Sequence, residues 1–173
     1  MNEPQNTIII HDGATDELMS ILFAASMPNI TIKGIMVLNA DCQGYPTSNV
    51  SSKLLDLIDL KDIPVTVSGA RGWNAFPWTY RQYSLMVDLF PIVNQYKSNI
   101  PVPEPKMDYP LEKMVDKVYY EGGNSPVTLL CLSPVTDIAK ALKNDPDFAS
   151  KISEIVWMGG VYITKETPFG NID

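Results

Sequence analysis

Thr7-Ile8-Ile9-Ile10-His11-Asp12-Gly13-Ala14-Thr15-Asp16-Glu17 is the stretch on which the rest of the chain turns. Three β-branched residues in a row, Ile8 to Ile10, followed by the turn dipeptide Asp12-Gly13, predict a short buried strand that stops at Asp12. Leu18, Ile21, Leu22 and Ala25 then recur at helical spacing. Thr15 has an N-cap side chain, and Asp16 and Glu17 fall in the first turn, where the helix dipole favours negative charge. Three carboxylates therefore meet at one strand-to-helix corner.

Open α/β sheets place their ligands at such corners, outside the carboxyl ends of the strands. Acidic side chains crowded together raise one another's pKa unless a proton or a cation intervenes. A hard, oxygen-ligated cation such as calcium or magnesium fits, since no second histidine or nearby cysteine points to zinc. The plainer reading is that Asp12-Gly13 is only a turn and that Asp16 and Glu17 only offset the helix dipole. Composition and spacing leave the two readings level.

Working outward, Thr31 to Leu38 is a second apolar run ending at Asn39. A helix is predicted over Thr47 to Leu60, from Val50, Leu54, Leu55, Leu57 and Ile58, and a third strand over Pro64 to Ser68. From Gly69 to Pro110 the pattern is interrupted: Trp73, Phe76, Trp78, Tyr80 and Tyr83 crowd one segment, a helix-like stretch covers Ser84 to Val93, and Pro101, Pro103 and Pro105 follow. So long an excursion is usually functional or disordered. Its aromatics suit either an interface or the rim of a pocket that takes a flat base. Alternation then resumes with a helix from Leu111 to Tyr120, closed by Gly122-Gly123-Asn124, and an apolar strand from Val127 to Leu132. A helix follows from Ser133-Pro134 through Ala141, capped by Ser133, and a fifth strand runs from Ile152 to Met158, before Gly159-Gly160. Strands alternating with helices predict an α/β fold with an open, mainly parallel sheet and helices on both faces, one domain over residues 1–173.

At 173 residues with 45% hydrophobic content the chain has the size and composition of one globular domain. A net charge of −7 without a basic stripe argues against a nucleic-acid polymer as partner. Cys42 and Cys131 form no Cys-x-x-Cys pair and fit reduced thiols. The polar, acidic start does not read as a signal peptide, and no apolar run reaches about 18 residues. The expectation is a cytoplasmic protein with no membrane partner.

The corner resembles that of the nucleoside hydrolase family, whose signature has the form Asp-x-Asp-Pro-Gly-x-Asp-Asp. Asp12 falls on the second aspartate, Asp16 on the third and Glu17 on the last; Ile10 stands at the first, and Gly13-Ala14 replaces Pro-Gly. Leu130 to Asp137 is similar to the family's Leu-Gly-Pro-Leu-Thr-Asn segment, Ile155 to Gly160 to its Ile-Val-x-Met-Gly-Gly, and Asn39 to an asparagine after the second strand. Gly170-Asn171-Ile172-Asp173 looks like the start of a segment that supplies ribose contacts. The resemblance implies calcium-dependent hydrolysis of the N-glycosidic bond of ribonucleosides. It implies that Asp12 binds calcium and activates water, that Glu17 and the Leu132 carbonyl are further metal ligands, and that Asp16, Asn39, Met158 and Asn171 contact the nucleoside. The family's Ala-Glu-x-Asn segment, a further metal-binding aspartate and a histidine that assists the leaving base have no counterparts here. Residues 1–173 thus resemble the family's amino-terminal half. His11 matches a position with no catalytic role.

Two other enzyme classes carry acids after a first strand. An aspartate-nucleophile phosphatase needs its nucleophile where Ile10 stands, and a response receiver needs a lysine where Met158-Gly159-Gly160 stands. The competing non-enzymatic reading is a truncated relative that binds a nucleoside or metal weakly, or that packs with a homo-oligomeric or complementing chain.

Overall fold

The computed structural model describes residues 4–71, 81–100 and 109–159. Strands β1 (Gln5–His11), β2 (Ile30–Val37), β3 (Val65–Val67), β4 (Val127–Cys131) and β5 (Ile152–Trp157) form one sheet in the order β3-β2-β1-β4-β5. Every neighbouring pair is parallel. The chain therefore winds outward from β1 to β3, returns to β4 on the other side of β1, and winds outward again to β5. The reversal lies between β1 and β4, where open sheets leave a crevice at their carboxyl ends.

Helices α1 (Thr15–Ser26), α2 (Gly44–Leu57), α3 (Tyr83–Asp88), α4 (Pro91–Asn94), α5 (Leu111–Glu121) and α6 (Thr136–Asn144) pack around the sheet, with a 3₁₀ turn at Phe148–Lys151. Both faces of the sheet are covered, which explains the unbroken apolar run of β1. Ile8 and Ile10 join Met36, Leu111, Met114, Val115, Ile138 and Phe148 in one core. Ile9, on the opposite face, joins Leu18, Ile21, Ile35, Val37, Val50 and Leu54 in the other. No helix of the described residues is long and apolar enough to cross a membrane.

Three element boundaries differ from the sequence expectation. α2 begins at Gly44 rather than Thr47, because Pro46 is tolerated in a first turn, where its missing N–H has no intrahelical acceptor. The helix expected from Ser84 to Val93 is two short ones, since Pro91 forces Phe90 out of helical geometry, at ψ 130°. α6 starts at Thr136 with Val135 as its cap residue rather than Ser133. Ser133 instead shapes the turn after β4, its carbonyl accepting from Cys131 Sγ and from Trp157 Nε1 at 3.2 Å each.

Candidate active site

Parallel pairing brings four strand ends to one edge. Leu132 N–H donates to Ile10 at 2.7 Å, Leu38 N–H to His11 at 2.9 Å and Met158 N–H to Cys131 at 2.9 Å. Asp12, Asn39, Leu132 and Met158 thus follow neighbouring strands at the same carboxyl edge. Asp12 is buried, with Oδ2 accepting the Asp41 N–H at 3.1 Å. Its other oxygen, Oδ1, is buried and finds no hydrogen-bond partner among the described residues. Glu17 is buried beside it and reaches back over the start of α1. Its Oε2 accepts the backbone N–H groups of Asp12, Gly13 and Ala14 at 3.3, 2.6 and 2.8 Å. Glu17 therefore satisfies the orphan amides of the helix start. Thr15, expected as the N-cap, is the first helical residue, and Ala14, which has no acceptor side chain, occupies the cap position.

Burial, more than any neighbour, pushes the Asp12 carboxyl above its ordinary value. Burial and then the adjacent Asp12 carboxylate push Glu17 up to about 9, against the pull of the Ala14 and Gly13 amides. The charge of either carboxyl raises the cost of ionising the other. Without a cation Glu17 therefore keeps its proton near pH 7.

His11 lies beneath this pair, fully buried. Ser51 spends its one hydroxyl proton on the Thr47 carbonyl at 2.7 Å, so the 3.1 Å contact between Ser51 Oγ and His11 Nε2 has the imidazole as donor. Nδ1 then carries the lone pair, 3.9 Å from Glu17 Oε2. Burial lowers His11 to about 4, so the ring is neutral near pH 7. A second set of hydroxyls holds the Gly13 carbonyl. Ser84 Oγ donates to it at 3.0 Å and Cys42 Sγ at 3.2 Å, while Thr47 Oγ1 meets Ser84 Oγ at 2.7 Å. Since the Ser84 proton goes to Gly13, Thr47 is the donor in that pair.

Gly13 has φ +95°, and a Cβ there would overlap Thr47 Oγ1 and stand 2.6 Å from Ser84 Oγ. Gly13→Ala is expected to lower stability by about 2–4 kcal/mol, from backbone strain and overpacking together. Gly123, at φ +67° but with nothing near its added Cβ, is the control: Gly123→Ala should cost only the strain, about 1 kcal/mol. Denaturant midpoints of the two variants make the comparison, and equal losses would remove the packing role assigned to Thr47 and Ser84.

Asp16, expected in the same carboxylate cluster, is exposed at the start of α1. Asn39 is half-buried, and its Oδ1 accepts the Gly44 N–H at 2.8 Å, closing the turn into α2. Asn171 and the aromatics Trp73, Phe76, Trp78 and Tyr80 lie outside the described residues. Asp41 is a fourth acid at the corner that sequence reading passed over. It is buried, its Oδ1 is 3.2 Å from Arg81 Nε, and burial raises its pKa against the pull of Arg81, with Asp16 adding to the rise. The only sequence signal for it is its place two residues after Asn39. All the carboxylate donors here are oxygens, as calcium prefers. Among the described residues, however, no three His, Cys, Asp or Glu side chains gather closely enough to hold a metal ion.

The family model described as inosine-uridine preferring nucleoside hydrolase matches residues 7–173. A probable uridine nucleosidase 2 of Oryza sativa subsp. japonica is 26% identical over 163 residues, which is 91% of this chain and 46% of that protein. Uridine nucleosidase 1 of Arabidopsis thaliana is 25% identical, over 100% of this chain and 49% of its own. Among solved structures, an inosine-uridine preferring nucleoside hydrolase from Bacillus anthracis is similar at a TM-score of 0.78 and 32% identity, covering 92% of this chain and 52% of that one. The chain spans about half the length of these relatives. By the family match and by a parallel sheet whose acids gather where its winding reverses, the chain belongs to the inosine-uridine preferring nucleoside hydrolase family.

Proposed function

We propose that this chain carries the metal and ribose corner of a ribonucleoside N-ribohydrolase. The observation that supports this most is the buried Asp12 and Glu17 pair at the sheet's switch point, with Asp12 Oδ1 buried and unpartnered. A buried carboxylate oxygen without a donor is costly unless a cation or ligand meets it. Asp12, Glu17 and the Leu132 carbonyl are the oxygens that would hold calcium. Calcium, when bound, would supply positive charge in place of the Glu17 proton and lower the pKa of a neighbouring water.

Asp12, through its unpartnered Oδ1, takes the proton from the attacking water. Asp16, solvent-facing one turn along, accepts a ribose hydroxyl. Asn39, with its Oδ1 committed to Gly44, offers its NH₂ to the sugar, and Met158 lies along the nucleoside at the end of β5. Asn171 completes the ribose contacts. Cleavage of the N-glycosidic bond builds oxocarbenium-like positive charge on the ribose, and the surrounding acids stabilise it. The buried free thiols Cys42 and Cys131 suit a reducing compartment such as the cytosol.

The names of the rice and Arabidopsis relatives make uridine the first substrate to try, with inosine second. Release of reducing sugar from either, lost on chelation and restored by calcium, is the expected result for a chain spanning the family's full length. Turnover that ignores both chelator and calcium would overturn the cation assignment. A second reading, a non-catalytic nucleoside- or metal-binding module, is favoured for these residues alone by the lack of a third acidic ligand at the corner among the described residues.

A further inference from the structure

α2 carries hydroxyls on the face where a core-facing helix carries aliphatic side chains. Thr47, Ser48, Ser51 and Ser52 are all buried, and a buried hydroxyl is costly unless it is bonded. Two of the four serve nearby backbone: Ser48 Oγ donates to the Tyr45 carbonyl at 2.8 Å, and Ser52 Oγ accepts the Asn99 N–H at 2.9 Å. The other two, one turn apart, bond toward the acidic corner. Ser51 Oγ accepts from His11 Nε2 at 3.1 Å. Thr47 Oγ1 donates to Ser84 Oγ at 2.7 Å, and Ser84 Oγ donates to the Gly13 carbonyl at 3.0 Å. One helix thus grips the residue before Asp12 and, through α3, the residue after it.

What this grip does follows from the planarity of one peptide. The Gly13 carbonyl and the Ala14 N–H belong to the same trans unit and point in opposite directions. Ser84 Oγ and Cys42 Sγ hold the carbonyl end, while the N–H end donates to Glu17 Oε2 at 2.8 Å. A rotation that frees the carbonyl turns the N–H away from Glu17. Gly13, without a Cβ and at φ +95°, resists such a rotation less than any other residue would. The orientation is therefore imposed from outside, by the hydroxyls. Thr47 contributes from one bond further away, because its proton fills the acceptor side of Ser84 Oγ and leaves the Ser84 proton for Gly13.

We propose that Thr47 and Ser84 are positioning residues for Glu17, acting through the Gly13–Ala14 peptide. Their effect on cation binding rests on the reading of Glu17 as a metal ligand; their effect on the peptide does not.

Amide hydrogen exchange followed by NMR on the 173-residue chain tests the peptide. Thr47→Val and Ser84→Ala should each speed exchange at Gly13 and Ala14 by about 5–10-fold, as expected for the loss of one hydrogen bond. Ile9 and Ile35, inside the sheet, should keep their parent rates. Thr47→Ser, which retains the hydroxyl, should restore Gly13 and Ala14, and Ser52→Ala, on the same helix but bonded to Asn99, should leave them unchanged. In a chain spanning the family's full length, calcium affinity measured by calorimetry should fall about 10-fold or more in Thr47→Val and return in Thr47→Ser. Ser84→Ala carries the comparison should Thr47→Val fail to fold. Unchanged exchange at Gly13 and Ala14 in the folded variants, equal acceleration at every amide, or no rescue by Thr47→Ser would each overturn the proposal, as would local acceleration with calcium affinity unaltered. A full-length parent that binds no calcium would instead count against the metal reading of the corner, and the exchange comparison would still decide whether the hydroxyls orient the peptide.

Discussion

Asp12→Asn is expected to cut ribose release on the order of 10³-fold in a full-length chain while leaving nucleoside affinity within a few fold. The asymmetry follows from where the oxygens go. Asp12 Oδ2 accepts the Asp41 N–H, a bond that an asparagine oxygen can keep, so the backbone at the corner holds its course. The loss falls on the Oδ1 position, which becomes an amide NH₂ and can no longer take a proton from water. Asp16, which contacts the ribose in this scheme, is untouched. A fall in kcat with little change in Kd is the expected signature, and full activity in Asp12→Asn would remove Asp12 from the role of base.

The same substitution has a stability consequence with a defined sign. Glu17 is raised in the folded chain from 4.5 to about 9, by burial and then by Asp12. A raised pKa means that the folded state holds the proton more tightly. The stabilisation is complete below the unfolded value and is lost as pH rises toward about 9. His11 acts oppositely: burial lowers it from 6.5 to about 4, so its contribution is complete above 6.5 and is lost as pH falls through about 4. Cation-free protein should therefore lose thermal midpoint on both sides of a weakly acidic optimum. Asp12→Asn removes the second cause of the Glu17 shift and should flatten the alkaline side only. Thermal scans across pH in chelator would show this, and an unchanged alkaline side would mean that the two carboxyls are not coupled.

Much of this corner is legible in the residues. Ile8 to Ile10 ahead of Asp12-Gly13 marks a strand end whatever surrounds it, and each apolar run stops at the residue that the parallel sheet brings to its carboxyl edge. Pairing order is less legible, because a run such as Val127 to Leu132 does not say which strand lies beside it; the crossover back to β1 is a matter of tertiary packing. Glu17 was readable as a first-turn acid, but its service to three amides depends on Ala14 leaving the cap position without an oxygen. Asp41, Thr47 and Ser84 escaped notice because short polar residues in loops and helix faces are common, and only the fold brings Asp41 to Asp12 and Thr47 and Ser84 to Gly13. The turn also departs from the family's Pro-Gly. Proline is fixed near φ −65°, so it could not take the +95° of Gly13, and the path of the chain between Asp12 and α1 belongs to the Gly13-Ala14 pair.

Tested alone, the 173-residue polypeptide is expected to bind calcium only at the weak end of protein sites, around 10⁻⁴–10⁻³ M, and to release ribose negligibly. Calcium takes six to eight oxygens, and one of those available here is already heavily committed, since Glu17 Oε2 accepts three backbone amides. Two carboxylates and a backbone carbonyl leave most of the coordination to water, and each absent negative charge weakens the site further. The length that the relatives possess beyond this chain, about half of theirs, is where the family resemblance places another aspartate and the histidine that assists the leaving base. A chain continued through that length, or the 173 residues complemented by a separately expressed second half, should bind calcium at least about 100-fold more tightly and turn over uridine. Calorimetric titration of calcium and a reducing-sugar assay on both forms separate the outcomes. Tight calcium binding and robust turnover by the 173 residues alone would mean that the acids seen at this corner suffice, and that the distal residues of the family are dispensable for the chemistry.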